Sequence, residues 1–410
     1  MKKEFEVFEL PNGIRFVHRY VNRPVGHCGL MIQAGSRDET PETEGLAHFI
    51  EHILFKGTRK RKAFHILSRM EDVGGELNAY TSKEDTVIYA SFLGNDYQRA
   101  IELIFDIGFH STFPEKELVK EKEVIIDEIN SYKDSPSELI FDDYEAQLFP
   151  NHSLGMNILG TPETVRSFKR QDVLNFLDSA YGTQQMVFSY VGHIKAPRIL
   201  AFLQKITEDI PARSGTVPRS TPHSYQPSRV ESTRPVFQNH VITGNRAYAA
   251  GDEKSRTLHL LNNLLGGPGM NSRLNLNIRE KYGFTYNIES FYTPYSDTGV
   301  FGIYAGTDPA TIGRTLKLIE KELRKLREKK LGTIQLSKAK RQILGQIAMA
   351  QENNVSLMLA LGKSLLTFDR IDTFDEVREK IENITAEDLI DVANEILAPE
   401  QLSTLIYKPT

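Results

Sequence analysis

The segment His48-Phe49-Ile50-Glu51-His52 has the pattern H-x-x-E-H. On a helix, two histidines four residues apart project from the same side, one turn from each other. That spacing lets both imidazoles bind one tetrahedral Zn²⁺, and it places the Glu51 carboxylate within reach of a water on the same metal. The pattern therefore predicts a catalytic zinc site with His48 and His52 as ligands and Glu51 as general base. The alternative is a pair of hydrogen-bonded histidines beside a surface glutamate.

A third metal ligand is expected in another segment, because a catalytic zinc usually takes three protein ligands and a water. The segment 114–130 begins with proline and is rich in helix formers, which predicts a helix. On this helix Glu121 and Glu128 lie two turns apart, at the flank of an apolar sector. The apolar sector holds Leu118, Ile125, Ile126 and Ile129, and the opposite side holds Glu123 and Asp127. Glu128 is therefore the predicted third ligand, with Glu121 as a neighbour that orients a ligand. The alternative is that both are solvated charges of an amphipathic helix.

The stretch Gly45–Thr58 resembles the core signature of the M16 family of pitrilysin-like (inverzincin) zinc metallopeptidases. In that family the third ligand follows the second histidine by seventy-six residues, which is the position of Glu128, and an acid stands seven residues earlier, as Glu121 does. The stretch Gly74–Ser82 resembles the family's strand that lies beside bound peptide. This implies substrate binding at Asn78, Ala79, Tyr80 and Thr81. The resemblance covers essentially the whole chain and is to the half-length, two-domain type, such as the subunits of mitochondrial processing peptidase.

The second half of the chain carries a further resemblance to this family. Arg279 and Tyr286 stand seven residues apart, as in the family element that reaches the active site from the second domain. The resemblance implies that Tyr286 donates a hydrogen bond to the oxyanion and that Arg279 anchors a substrate carbonyl. From the residues alone, a surface arginine and a tyrosine at the edge of the core remain the alternative.

The chain has 410 residues, which suggests two domains. The segment 211–238 is rich in Pro, Ser, Thr and Arg and lacks a periodic apolar pattern, so it is predicted to be a linker. It separates a catalytic, zinc-binding domain at 1–210 from a second domain at 239–410. After it the pattern restarts as a weak internal duplication, in which His259 aligns with His48 but Asn262 and Asn263 replace Glu51 and His52. The second copy is therefore expected to lack the metal ligands.

The expected fold class is α+β. The resemblance implies two homologous domains of M16/LuxS-like type, each a mainly antiparallel sheet with helices packed on it. It further implies that the two domains face each other around a chamber.

Composition limits the classes of function. The net charge of −4 gives no overall field that would recruit nucleic acid. No stretch approaches the ~18 uninterrupted apolar residues of a membrane span, and the N-terminus has no signal-peptide pattern. The single cysteine, Cys28, lies in an apolar strand-like run and is predicted to be a buried small residue rather than a nucleophile. These features predict a cytoplasmic protein with neither a nucleic-acid nor a membrane partner.

The expected function is zinc-dependent endopeptidase activity on unfolded proteins or peptides. The resemblance implies assembly as a homodimer, or as a heterodimer with a related subunit. Alternatives are a non-catalytic subunit of this fold, a subunit that is active only with a different partner, and a zinc hydrolase such as an amidase acting on non-peptide substrates. The intact H-x-x-E-H pattern favours the peptidase over the non-catalytic subunit.

Overall fold

The structure is a computed structural model that describes residues 4–223 and 225–410. The chain forms two compact units. The first unit comprises residues 4–130, 156–219 and 349–371, and the second comprises residues 131–155, 220–348 and 372–410. Each unit is built on one β-sheet.

The sheet of the first unit has six strands in the order β1-β2-β6-β3-β5-β4. Every neighbouring pair is antiparallel except β2 and β6, which are parallel. The strands are β1 (Glu6–Glu9), β2 (Arg15–Tyr20), β3 (Val25–Ile32), β4 (Glu76–Thr81), β5 (Thr86–Leu93) and β6 (Met186–Gly192). β4 therefore lies at an edge of this sheet.

The sheet of the second unit has five strands in the order β7-β11-β8-β10-β9. Its strands are β7 (Arg229–Arg234), β8 (Asn239–Ala247), β9 (Thr285–Pro294), β10 (Gly299–Thr307) and β11 (Ser403–Pro409). Here β7 and β11 are parallel and the other neighbours antiparallel. From β2 to β4 the first sheet has the same order and the same strand directions, which confirms the fold class of two similar α+β domains with mainly antiparallel sheets.

Helices cover both sheets. In the residues that the structure describes they are α1 (Leu46–Leu54), α2 (Ala63–Glu71), α3 (Tyr97–His110), α4 (Glu115–Lys133), α5 (Pro136–Leu148), α6 (Pro162–Ser167), α7 (Arg170–Ala180), α8 (Ala196–Ile206), α9 (Ser255–Gly266), α10 (Ile312–Glu328), α11 (Thr333–Gln351), α12 (Asn354–Phe368), α13 (Phe374–Glu382) and α14 (Ala386–Ile396). A π-helical turn spans Asn275–Glu280. In the first unit, α1, α3 and the apolar side of α4 belong to one large core that also includes side chains of β3, β5 and β6.

Each unit contains one helix from the opposite half of the sequence. α12 belongs to the first unit, where it packs on β3 and β6. α5 belongs to the second unit, where it packs on β8 and β11, the strands that correspond to β3 and β6. Each compact unit therefore contains segments from both halves of the sequence. The division of the chain into domains at 1–210 and 239–410 stays a prediction.

The segment 211–238, predicted as a linker, contains the strand β7. Among the described residues, β7 pairs with no strand other than β11, and four of its six side chains are exposed. It therefore has no buried apolar face that a sequence pattern would reveal. Cys28 is fully buried in β3, as predicted, and burial raises the pKa of its thiol well above the ordinary value. Among the helices of residues 4–223 and 225–410, none is long and apolar enough to cross a membrane.

Candidate metal site

The helix α1 carries the H-x-x-E-H pattern, and its first turn is held by contacts distant in sequence. Gly45, just before the helix, has φ +92°, and a Cβ there would stand 2.7 Å from the Cα of Gly160. Glu39 caps the helix: its Oε2 accepts a hydrogen bond from the Gly45 N–H at 2.9 Å, and its Oε1 accepts one from Ala47 at 2.6 Å. Because helix N-termini leave N–H groups without partners, this buried carboxylate stabilises the start of α1. Glu39 was not predicted from the sequence.

His48, His52 and Glu128 converge in the first unit. The Nε2 atom of His48 lies 3.9 Å from Oε1 of Glu128, and Nε2 of His52 lies 3.5 Å from Oε2 of the same carboxylate. One ligand atom from each residue can be chosen so that all three lie within 4.8 Å of one another. Burial, together with the neighbouring His52, lowers the pKa of His48 to about 3, so its imidazole is neutral near pH 7.

These distances fit a tetrahedral metal ion. Zinc bound at about 2.0–2.2 Å holds its ligand atoms roughly 3.3–3.6 Å apart, close to the two distances from histidine to carboxylate. A neutral His48 forms no ion pair with Glu128, so charge attraction does not account for the approach of these two groups. Two imidazoles and one carboxylate are also a usual donor set for catalytic zinc. The residues present therefore fit a zinc ion.

The helix α4 brings Glu128 to this site. Leu118, Ile125, Ile126 and Ile129 are buried, as predicted, and Asp127 is exposed. The Glu128 side chain is 44% exposed and lies at the border between this apolar face and solvent. The helical phase read from the sequence is therefore correct, and it turns one carboxylate toward the histidines while its neighbour faces solvent.

Glu121 lies two helical turns before Glu128 and contacts the other side of His52. Its side chain is only 7% exposed, and its Oε2 lies 3.2 Å from Nδ1 of His52. A carboxylate only accepts hydrogen bonds, so Nδ1 of His52 carries the hydrogen. Nε2 then has no hydrogen, and its lone pair is available to a metal ion on the side of Glu128. The second oxygen of Glu121 lies 2.7 Å from Nζ of Lys56. This contact to Lys56 was not predicted from the sequence.

Glu51 lies on α1 between the two histidines and against the edge strand β4. Burial raises the pKa of its carboxyl above the ordinary value, and Thr81 and His52 partly offset that effect. Thr81 is the last residue of β4, so α1 and β4 together form the environment of this carboxylate.

The predicted substrate residues Asn78 to Thr81 all belong to β4. This strand pairs with β5 on one side and has no strand partner on its other side among the described residues. Ala79 packs against the core that includes α1, whereas Tyr80 packs with side chains of α12 on the opposite face. A free strand edge beside a metal site is suited to a peptide in extended conformation.

Arg279 and Tyr286 lie in the second unit and contact each other. The Arg279 guanidinium carbon lies 5.5 Å from the centre of the Tyr286 ring, and Tyr286 is 87% exposed. In the second unit's counterpart of α1, His259 packs against the Tyr292 ring and Asn263 is buried. Within residues 4–223 and 225–410, His48, His52 and Glu128 are the only group of metal-ligating side chains found.

Comparison with known proteins agrees with this geometry. The family model "Insulinase (Peptidase family M16)" matches residues 16–162, and "Peptidase M16 inactive domain" matches residues 167–343. A Bacillus subtilis protein named "Uncharacterized zinc protease YmxG" is 32% identical over 398 residues, covering 96% of both chains. The chain belongs to peptidase family M16. The three candidate ligands, His48, His52 and Glu128, lie in the part matched by the first model. This agrees with the name of the second model, which describes an inactive domain.

Other M16 relatives extend this similarity. The beta subunit of the mitochondrial-processing peptidase of Bos taurus is 29% identical over 405 residues, covering 96% of this chain and 82% of that one. Among solved structures, a protease from Helicobacter pylori has a TM-score of 0.92 at 21% identity and covers 99% of both chains. An M16-like protein from Alicyclobacillus acidocaldarius has a TM-score of 0.90 at 20% identity, covering 100% of this chain and 99% of that one. These two structures support the fold.

Proposed function

We propose that this M16 protein is a zinc-dependent endopeptidase that hydrolyses unfolded proteins or peptides. The observation that carries the proposal is the convergence of His48, His52 and Glu128 in one unit, with the half-buried Glu51 carboxylate on the same helix as the two histidines. Relatives named as zinc proteases, which this chain matches over nearly their whole length, add support.

The metal would be held by Nε2 of His48, Nε2 of His52 and the Glu128 carboxylate. When bound, zinc would act as a Lewis acid that activates water and polarises the scissile carbonyl. Glu121 fixes the ring of His52 through Nδ1, so that Nε2 is presented toward Glu128.

Glu51 acts as the general base. Its carboxylate accepts a proton from the attacking water and later delivers it to the leaving nitrogen. Burial raises the pKa of this carboxyl, which strengthens it as a base and brings it closer to the working pH. Because Glu51 is not among the three converging groups, its replacement should leave metal binding intact.

The substrate would bind as a strand along the free edge of β4. Main-chain hydrogen bonds to a strand edge set the register of a peptide without requiring particular side chains. A folded domain has few free extended segments to offer, which favours unfolded substrates. Tyr286 is proposed to donate a hydrogen bond to the developing oxyanion, and Arg279 to anchor a substrate carbonyl. The roles of Tyr286 and Arg279 rest on the family resemblance. Two further proposals rest on it as well: that the substrate is enclosed in a chamber, and that the protein assembles as a homodimer or heterodimer.

The test compares wild-type protein with Glu51→Gln. Both should contain one zinc per chain, and only the wild type should cleave an unstructured peptide library, with activity lost on chelation and restored by zinc. A stably folded protein of ordinary domain size should remain intact. Cleavage by Glu51→Gln at a near-normal rate would rule out this mechanism. Zinc binding by the wild type without peptide cleavage would favour a partner-dependent subunit or a hydrolase for non-peptide substrates.

A further inference from the structure

The Glu121 carboxylate is buried and holds two different partners, one on each oxygen. Oε2 accepts a hydrogen bond from Nδ1 of His52 at 3.2 Å, and Oε1 lies 2.7 Å from Nζ of Lys56. Of the lysines and arginines that the structure describes, only Lys56 lies within ion-pair distance of Glu121. Likewise, Lys56 forms no ion pair with any other described carboxylate.

The position of Lys56 is set by the chain that follows α1. Its backbone N–H donates a hydrogen bond to Ile53 at 3.1 Å, in the turn that ends the helix. The next residue, Gly57, has φ +148°, and its carbonyl accepts a hydrogen bond from the Thr112 N–H at 3.0 Å. This backbone keeps the lysine four residues after His52, on the side of α1 that meets α4. Its side chain is 26% exposed, so the ammonium is partly removed from water.

We propose that Lys56 is a positioning residue of the metal site, acting through Glu121 on His52. The ammonium fixes one oxygen of the carboxylate, which leaves the other oxygen aimed at Nδ1 of His52. That contact keeps the hydrogen on Nδ1 and directs Nε2 toward Glu128. This inference rests on the proposed function, because it assigns Lys56 to the same site.

Two effects of Lys56 on metal affinity have opposite signs, which makes the inference decidable. A positive charge near the site repels a divalent cation, so removal of Lys56 for this reason alone would tighten zinc binding. The loss of orientation at Glu121 would weaken zinc binding instead. The geometry favours the second effect, because Lys56 contacts Glu121 directly and is separated from Nε2 of His52 by the carboxylate and the ring.

The first experiment measures the zinc dissociation constant of the full chain by competition with a chelator. Loss of a group that orients a metal ligand typically costs 10- to 100-fold in affinity, and Lys56 acts one contact further out. Lys56→Met is therefore expected to weaken zinc binding by about 10-fold, and Lys56→Arg to restore most of the affinity. Lys60→Met is the matched control, since Lys60 is an exposed lysine four residues later that approaches Glu102 rather than Glu121.

The second experiment shows whether Lys56 acts through Glu121. In a Glu121→Gln background, the further change Lys56→Met should cause no additional loss of zinc affinity. In the metal-free protein, long-range ¹H–¹⁵N spectra should show His52 as the Nδ1–H tautomer in the wild type. In Lys56→Met they should show a mixture of the Nδ1–H and Nε2–H tautomers. The tautomer of His52 would not respond to a purely structural role of Lys56 elsewhere.

Three results would overturn the inference: zinc binding by Lys56→Met as tight as in the wild type or tighter, equal losses in Lys56→Met and Lys56→Arg, or a full additional loss in the Glu121→Gln background. A variant with normal zinc affinity that still cleaves peptides would overturn the role of Lys56 and leave the peptidase proposal standing. Absence of zinc binding in the wild type would overturn the peptidase proposal itself. If Lys56→Met does not fold, Lys56→Gln is measured in its place.

Discussion

Replacement of Glu128 by alanine tests the proposed metal site at the ligand that α4 would supply. Glu128 and Asp127 are adjacent carboxylates on this helix, and both are exposed. Only Glu128 approaches the histidines, with oxygen-to-nitrogen distances of 3.5 and 3.9 Å. The same substitution at Asp127 therefore removes an equal charge from the same helix without removing a ligand, which makes Asp127→Ala the matched control.

The expected loss of zinc affinity follows from the number of ligands. Zinc sites with four protein ligands have apparent binding free energies of about 10–16 kcal/mol, so one ligand contributes roughly 2.5–4 kcal/mol. A loss of this size corresponds to a dissociation constant about 10²- to 10³-fold larger. The Glu128 side chain is 44% exposed, so its truncation leaves no buried cavity, and the free energy of unfolding of the metal-free protein should change by less than about 0.5 kcal/mol.

The assay is chelator competition for zinc, combined with metal analysis of the purified variants. Glu128→Ala should lose zinc during purification or bind it 10²- to 10³-fold more weakly, whereas Asp127→Ala should match the wild type. Equal losses in the two variants would mean that the loss reflects net charge rather than coordination. Unchanged affinity in Glu128→Ala would remove this residue from the site.

Three further predictions concern other parts of the molecule. Tyr286→Phe should lower kcat by roughly 10- to 1,000-fold with zinc content unchanged, because it removes one proposed oxyanion donor, whereas Tyr282→Phe, on a nearby exposed tyrosine, should have no effect. Glu39→Ala should lower the free energy of unfolding, measured by chemical denaturation, by about 1–3 kcal/mol, because it leaves two buried N–H groups at the start of α1 without an acceptor. The control Glu42→Ala changes an exposed neighbour and should leave the free energy of unfolding unchanged. In the metal-free protein the pKa of the Glu51 carboxyl should lie above the ordinary value for a glutamate, because burial disfavours its charged form. The pKa can be measured by ¹³C NMR, with Glu51→Gln used to assign the signal, and an ordinary or lowered pKa would contradict the prediction.

Much of the first unit could be predicted from local patterns. Apolar periodicity and flanking turn residues in the sequence indicate a strand at 86–93 and a helix at 196–206, and these are the bounds of β5 and α8. The phase of α4 was also correct, since four buried apolar residues fix which side of the helix faces the core. A fixed phase is what separates Glu128 from Asp127.

Other features depend on contacts that no local pattern encodes. β7 has exposed side chains and is held through its pairing with β11, some 170 residues later, so its sequence resembles a linker. Glu39 stands between Asp38 and Thr40, and Lys56 precedes Gly57 just after α1, so in the sequence both look like solvated charged side chains. Their roles emerge only when the fold brings Glu39 to the N-terminus of α1 and Lys56 to Glu121. The placement of α5 in the second unit and of α12 in the first is likewise set by tertiary packing, because the apolar side of each helix does not identify the sheet on which it packs.

The most direct test of the central claim is a crystal structure of the zinc-loaded protein with anomalous data collected above and below the zinc absorption edge. The account predicts one anomalous peak in the first unit, with Nε2 of His48, Nε2 of His52 and a Glu128 oxygen each at about 2.0–2.2 Å from the metal, and with Glu51 not coordinated. A zinc ion held by other residues, or an active enzyme with no metal at these three side chains, would contradict it.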